Sequence, residues 1–232
     1  MNLSVVCIEW KPCWRIISSQ HSPIPLFERV VESKEDLEAI IDLEALTNPT
    51  LLSEVGNIQL VQPEDRISGP GSSVIMAAFT HLNRNGSRFS DGTYGVLYTA
   101  NDLDTAIAET KHHREQFMAA TAQRPMELGM CVYQLDLAGN LHDLRGQRAA
   151  SPRIYHADNY AASQQLGKAL REDGSNGIAY DSVRRMGGEC AAAFRPPLLS
   201  NARLERHLCY IWDGQQIVTV DKKEEFDNAG VS

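Results

Sequence analysis

Three short stretches decide the fold of this chain: GSRFS at residues 86–90, GVLYTA at residues 95–100 and AIAET at residues 106–110. The first is polar and begins with a glycine, which predicts a loop. The second is rich in β-branched and aromatic residues, which predicts a strand. The third has helix-forming alanines around one carboxylate. Together they predict a unit of loop, strand and helix in the main domain.

Length and composition indicate a globular protein. The chain has 232 residues, of which 43% are hydrophobic and 22% are charged, so it can bury one sizeable core. Its formal net charge is −8 at pH 7. A general nucleic-acid binder needs a positive surface that displaces counterions. The charge therefore argues against direct nucleic-acid binding and leaves room for a local basic pocket.

Cysteine usage and hydropathy indicate the compartment. The five cysteines are odd in number and include no CxxC pair, which argues against a disulfide scaffold or a structural zinc site. Residues 1–12 lack the basic region and apolar run of a signal peptide. No window approaches the roughly 20 apolar residues that cross a bilayer. The sequence thus predicts a soluble, cytoplasmic protein that does not bind a membrane.

Residues 1–60 are predicted to form an N-terminal extension packed on the core. Residues 5–18 are rich in β-branched and aromatic side chains, which predicts one or two strands interrupted at Pro12. Residues 33–48 have the first-turn acids and apolar spacing of a helix. Residues 50–55 allow a second short helix.

The main domain is predicted over residues 61–225, after a boundary in the turn-rich sequence near residue 60. Its helices are expected to follow Asn101 or Asp102 and to begin near Tyr160. Helices and strands mix without a β-α-β rhythm, which predicts an α+β fold with mixed or antiparallel sheets and flanking helices. The strands are predicted at 96–99, 128–137, 177–180, 190–194 and 207–220, the last range with a turn at Asp213-Gly214.

Two arginines lie in polar loops and are candidates for anion binding. Arg66 precedes a flexible, hydroxyl-rich loop, where a guanidinium can donate to two pyrophosphate oxygens. Composition alone favours the alternative, an ion pair of Arg66 with Glu64 or Asp65. Arg88 either meets a phosphate or carboxylate, or is a plain loop residue beside a core side chain, Phe89.

Three further residues are candidates for ligand contacts. Tyr98 either stacks on a flat heterocycle or is a half-buried core residue of its strand. Glu109 either stabilises an oxocarbenium-like transition state on a ribose or pairs with His113 one turn away. Ser182 ends a predicted strand, where its hydroxyl can donate to a ligand, and its surroundings are not the GxSxG motif of a serine hydrolase. An Arg, a Tyr and a Glu together can hold a phosphorylated sugar.

The histidines do not predict a metal site. His112 and His113 are adjacent on the predicted helix and therefore point to different faces. His142 and His156 have no complementary spacing to other ligands. We therefore expect no bound metal.

Taken together, these motifs resemble the RES-domain family, which is named for its Arg, Glu and Ser and comprises toxins of type II toxin–antitoxin pairs. The resemblance covers about residues 61–215. One departure is the loop sequence SRFSD, where many relatives have Arg-Trp-Asn or similar. The resemblance is carried by Arg66, GSRFS, GVLYTA, AIAET and the later GIAYDSVR at residues 177–184.

This resemblance implies an ADP-ribosyltransferase-like core and cleavage of NAD+ between nicotinamide and ribose. The acceptor is left open: inorganic phosphate as a co-substrate makes the protein a phosphorylase, and water makes it a glycohydrolase. A protein side chain as acceptor makes it a mono-ADP-ribosyltransferase, and a catalytically silent interaction module is a further alternative. The implied partners are NAD+ and a cognate antitoxin with an Xre-like DNA-binding part.

The resemblance also assigns roles by position. Arg66 would grip the NAD+ phosphates, and Arg88 would line the same cleft. Tyr98 would stack on or orient the nicotinamide riboside. Glu109 would stabilise the ribosyl cation, and Ser182 would complete the pocket.

Overall fold

One sheet and three α-helices form the part of the protein that the structure describes. This structure is a computed structural model, and it describes residues 3–21, Glu28 and residues 56–223. The helices predicted at 33–48 and 50–55 lie outside these residues. The strands are β1 (Val5–Ser18), β2 (Leu97–Ala100), β3 (Met126–Asp143), β4 (Gly177–Asp181), β5 (Glu189–Ala193), β6 (Leu199–Trp212) and β7 (Ile217–Lys223), and the helices are α1 (Ser72–Thr80), α2 (Leu103–Ala120) and α3 (Ala161–Glu172).

The sheet is mixed and mainly antiparallel. Its strand order is β1-β2-β5-β4-β3-β6-β7, and β1 also pairs with β3, so the first five strands in this order close into a ring. Only the short pairing of β3 with β4 is parallel among the strand pairs described. The predicted α+β class with mixed or antiparallel strands is therefore confirmed.

The N-terminal strand β1 is a single strand of this sheet. It pairs with β3 from Val5 to Ser18, with a register shift between Trp10 and Cys13. Pro12 lies within that shift, as expected for a residue that cannot donate a ladder hydrogen bond. The division of the chain into residues 1–60 and 61–225 stays a prediction, because 22–27 and 29–55 lie outside the described residues.

The core is split between the two faces of the sheet because neighbouring strand residues point to opposite sides. On one face, Ala179 of β4 belongs to a first cluster together with Ile75 of α1. On the other face, Tyr180 belongs to a second cluster with Met118 of α2 and the partly buried Leu166 of α3. Helix α1 thus covers one face, and α2 and α3 cover the other. No helix among the described residues is long and apolar enough to cross a membrane.

Candidate active site

Helix α2 carries the predicted carboxylate, and a local cap sets where this helix begins. The side chain of Asp102 accepts hydrogen bonds from the backbone N–H and the hydroxyl of Thr105, at 2.9 Å and 2.7 Å. Such a cap satisfies donors that the first helical turn otherwise leaves unpaired. Glu109 therefore lies in the second turn of a well-anchored helix, and it is half-buried.

The structure brings Glu109 and Ser182 into direct contact. The Ser182 hydroxyl donates to Oε1 of Glu109 at 2.6 Å, and the backbone N–H of Val183 donates to the same oxygen at 3.1 Å. Ser182 is buried, and its Oγ accepts the backbone N–H groups of Arg184 and Arg185. One carboxylate oxygen is thus fixed in place. Among the described residues, no group donates a hydrogen bond to the other oxygen, Oε2.

Tyr98 holds the loop that contains Arg88. Its hydroxyl lies 2.8 Å from the Ser87 hydroxyl and accepts the backbone N–H of Phe89 at 2.9 Å. Burial raises the pKa of Tyr98 to about 12, so its hydroxyl stays protonated. Gly167 of α3 packs against the same loop, since a Cβ there would lie 2.2 Å from the carbonyl oxygen of Phe89. The loop is therefore held by β2 and α3.

Arg88 is a buried guanidinium with a fixed orientation. Its Nη1 donates to the carbonyl oxygens of Ile154 at 3.2 Å and His156 at 3.0 Å. Its guanidinium carbon lies 4.6 Å from the centre of the Tyr160 ring, a cation–π contact. Among the described residues no carboxylate forms an ion pair with Arg88. It therefore places positive charge in the interior.

The pKa of His113, one turn beyond Glu109 on α2, depends on the charged groups around it. Desolvation of its imidazole by the surrounding protein lowers the pKa of His113 to about 4. Glu109 opposes the lowering, and both Arg184 and Arg88 add to it. The charges of Glu109 and of both guanidinium groups therefore influence the pKa of this imidazole.

Replacing His113 is expected to change how stability depends on pH. Its folded-state pKa is below the ordinary histidine value of about 6.5, so the unfolded chain binds the proton more readily. Its contribution to stability is thus complete above about pH 6.5 and is lost as the pH falls towards 4. His113→Gln should show a smaller loss of unfolding free energy between neutral pH and about pH 5 than the wild type, as measured by urea denaturation. Equal losses in both proteins would contradict this expectation.

Arg66 is buried in a different neighbourhood. It follows a short 3-10 helix, Pro63–Asp65, and its Nε donates to the carbonyl oxygen of Val61 at 3.0 Å. Val61 belongs to the first cluster, whereas α2 packs on the second. The Asp65 carboxylate accepts hydrogen bonds from the Arg195 Nε at 2.9 Å and from its Nη2 at 2.5 Å, so it pairs with Arg195. The role of Arg66 in gripping phosphates stays a prediction.

Two residues that contact Arg88 and Ser182 were not among the predicted site residues. Tyr160 precedes α3 and lies under the Arg88 guanidinium. Arg184 lies two residues after Ser182 and donates to the carbonyl oxygen of Ala157. Arg184 stood within the GIAYDSVR motif, which was a usable signal. Tyr160 had none, because only the folded chain brings it to Arg88.

The cysteines and acidic residues offer no competing chemistry in the part of the chain described. Burial raises the pKa of Cys190 well above its ordinary value, so this thiol near Glu109 stays protonated and is a weak nucleophile. All five cysteines are free thiols. Within residues 3–21 and 56–223, no three His, Cys, Asp or Glu side chains are grouped as metal ligands.

The fold and the site define an α+β protein with a helix-borne carboxylate that a serine orients. The RES domain matches residues 63–213, which is well over half of the chain. The protein therefore belongs to the RES-domain family. The resemblance given by the sequence motifs is confirmed by this match.

Two known proteins are similar to this chain over most of its length. The uncharacterized protein y4oC of Sinorhizobium fredii (strain NBRC 101917 / NGR234) is 29% identical over 218 residues, which cover 94% of this chain and 88% of the relative. A chain in the crystal structure of the M. tuberculosis MbcT–MbcA toxin–antitoxin complex is 11% identical with a TM-score of 0.45. That alignment covers 90% of this chain and 87% of the solved chain.

Proposed function

We propose that this RES-domain protein is a toxin that cleaves NAD+ at the bond between nicotinamide and ribose. The observation that carries the proposal is the Glu109 carboxylate, whose Oε1 is fixed by Ser182 while Oε2 accepts no hydrogen bond from the described residues. A carboxylate held in this way is oriented before a substrate binds. Preorganised charge of this kind is a large source of transition-state stabilisation.

The chemistry of the bond explains why a carboxylate suits it. When the bond between the ribose C1″ and the nicotinamide nitrogen breaks, the electron pair leaves with nicotinamide, which departs neutral. The ribosyl centre then carries positive charge, which Glu109 would stabilise. An acceptor oxygen forms the new bond to C1″ and releases its proton. Phosphate as acceptor gives ADP-ribose-1″-phosphate, water gives ADP-ribose, and a protein side chain becomes ADP-ribosylated.

Product analysis of NAD+ tests this proposal. The purified protein would be incubated with labelled NAD+ in buffer, in buffer with inorganic phosphate and in cell lysate, and the products would be separated. We expect nicotinamide release, with the second product identifying the acceptor: ADP-ribose, ADP-ribose-1″-phosphate or a labelled protein band. Intact NAD+ under all three conditions would overturn the proposal and favour a catalytically silent interaction module.

The proposed toxin also requires a partner that blocks it. The family resemblance implies a cognate antitoxin, a small protein with an Xre-like DNA-binding part. Expression of this chain alone should arrest growth, and co-expression with the product of the adjacent gene should restore it. Growth arrest that depends on Glu109 would connect the toxicity to the same site.

A further inference from the structure

The loop that carries Ser182 determines where the Ser182 hydroxyl points. This loop is residues 182–188, between β4 and β5. The Ser182 Oγ accepts the backbone N–H groups of Arg184 and Arg185 at 3.1 Å and 3.0 Å. Because both acceptor positions of this oxygen are then occupied, its own proton is directed to Glu109. The contact with the carboxylate therefore depends on where the loop lies.

A side chain of the same loop reaches the first turn of α2. The Arg185 Nη1 donates to the Thr105 Oγ1 at 3.2 Å and to the Asp102 Oδ2 at 3.4 Å. Its Nη2 donates to the Asp104 Oδ2 at 3.4 Å. Thr105 is fully buried, and Asp102 is the residue that caps α2. One guanidinium thus joins the loop to the start of the helix that carries the carboxylate.

The backbone of the loop also lies against the start of α2. A Cβ at Gly188 would lie 2.3 Å from the Thr105 Oγ1, so a residue with a side chain there would push the two elements apart. Just before the helix, the backbone N–H of Asn101 donates to the carbonyl oxygen of Glu189 at 3.0 Å. The loop therefore approaches the helix closely on one side, and Arg185 bridges the two elements.

The charges at this bridge favour a fixed arrangement. Burial alone would raise the pKa of Asp102, but hydrogen bonds from Thr105 and the charge of Arg185 outweigh burial and lower this pKa. Asp102 is therefore ionised at neutral pH and attracts the guanidinium. The Arg185 side chain is 39% exposed, so solvent screens its ion pairs and they add little to the overall stability. The remaining effect of the bridge is to set the distance between the loop and α2.

We propose that Arg185 is a positioning residue for Glu109. It holds the loop and α2 at the separation at which the Ser182 hydroxyl and the Val183 N–H both reach the Glu109 Oε1. This inference rests on the proposed function, in which the carboxylate faces the ribose before the bond breaks. If the loop moved away, the carboxylate would lose its fixed orientation. A misplacement of about 1 Å caused by a change outside the reacting groups can cost about 100-fold in rate.

A double-mutant cycle tests the coupling between Arg185 and Glu109. The rate of nicotinamide release at saturating NAD+ would be measured for Arg185→Gln, for Glu109→Gln and for the double variant. Arg185→Gln should lower kcat by about 10-fold and leave KM unchanged, because it misplaces a group without removing a substrate contact. It should have no further effect in Glu109→Gln, because residues that act through one another are not additive. The same loss in both backgrounds, or no loss in either, would overturn the proposal.

Two further variants separate positioning from other effects of losing an arginine. Arg185→Lys keeps the positive charge and loses the guanidinium fork, so it should retain more of kcat than Arg185→Gln. Arg203→Gln removes an exposed arginine on β6 that pairs with Gln134, and it should keep the wild-type rate. An Arg185→Lys protein no faster than Arg185→Gln, or an Arg203→Gln protein as slow as it, would contradict the positioning role.

Amide hydrogen exchange keeps this inference separate from the proposed function. The Val183 N–H is bonded to Glu109, and its exchange rate reports local opening of that contact, so we expect exchange about 10-fold faster in Arg185→Gln. The Leu144 N–H, which donates to the carbonyl oxygen of Ala179 at 2.8 Å, should exchange at its wild-type rate. Equal exchange of Val183 in both proteins would overturn the positioning role, even if NAD+ were cleaved. Faster exchange in the variant of a protein that leaves NAD+ intact would overturn the proposed function alone.

Discussion

Glu109→Gln is expected to slow NAD+ cleavage by about 100- to 1,000-fold, since loss of one preorganised electrostatic group typically costs ~2.7–4 kcal/mol of transition-state stabilisation. Glutamine has nearly the same size, and its carbonyl oxygen can still accept the hydrogen bonds that Ser182 and Val183 donate to Oε1. The substitution therefore removes the negative charge with little change in packing. Initial rates of nicotinamide release under saturating NAD+ measure the effect.

A second glutamate on the same helix provides the matched control. Glu115 lies on α2, and its Oε1 accepts the backbone N–H of Ile217 at 2.8 Å. Glu115→Gln makes the same chemical change away from the Glu109–Ser182 contact, so the cleavage rate should stay close to the wild-type rate. Full activity in Glu109→Gln, or equal losses in the two variants, would show that Glu109 has no special role.

Trp212→Ala is expected to lower the free energy of unfolding by about 3–5 kcal/mol, the usual cost of truncating a large buried side chain. Trp212 is 1% exposed and belongs to the second cluster. Its indole Nε1 donates to the carbonyl oxygen of Gln123 at 3.0 Å, just after the end of α2. The substitution leaves a cavity and an unpaired carbonyl group next to the helix that carries Glu109. Urea denaturation measures the loss.

Trp212→Phe separates the two contributions. Phenylalanine keeps most of the buried apolar volume and loses the N–H donor, so a smaller loss of about 1–2 kcal/mol is expected. If Trp212→Ala unfolded at the wild-type urea concentration, the indole would not anchor the end of α2 to β6. Losses of the same size in both variants would attribute the effect to the hydrogen bond alone.

Local signals predicted α2 and the short strands well. Asp102, one of the two residues predicted to precede α2, is its observed cap. Strand β2 and strand β5 lie within one residue of their predicted ends. These elements are recognisable because capping and β-propensity are properties of a few adjacent residues.

Helix α1 and the ends of the long strands were not predicted. The sequence of α1, SSVIMAAFT, has almost no polar face because both sides are buried, so it lacks the amphipathic period that identifies a surface helix. Strand β3 runs to Asp143, beyond the predicted end at residue 137, because β1 pairs with it as far as His142 and β4 pairs with its last two residues. Pairing between segments so distant in sequence leaves no local signal.

The candidate site was predictable only in part for the same reason. Glu109 and Ser182 were named from their motifs, and the structure joins them through a hydrogen bond across 73 positions of sequence. Tyr98 was expected to contact a ligand, and in the structure its hydroxyl is used by the loop that holds Arg88. The position of Tyr160 depends on how the segment before α3 contacts α2, where Gln116 donates to Asp158, and no motif encodes that contact.

The central claim is that Glu109 faces the ribose whose bond to nicotinamide breaks. A crystal structure of the Glu109→Gln protein with NAD+ bound tests this most directly, because the slow variant keeps its substrate intact. The account predicts the nicotinamide-bearing ribose at about hydrogen-bonding distance, roughly 3 Å, from the side chain of residue 109. NAD+ bound with that ribose far from residue 109 would contradict the account.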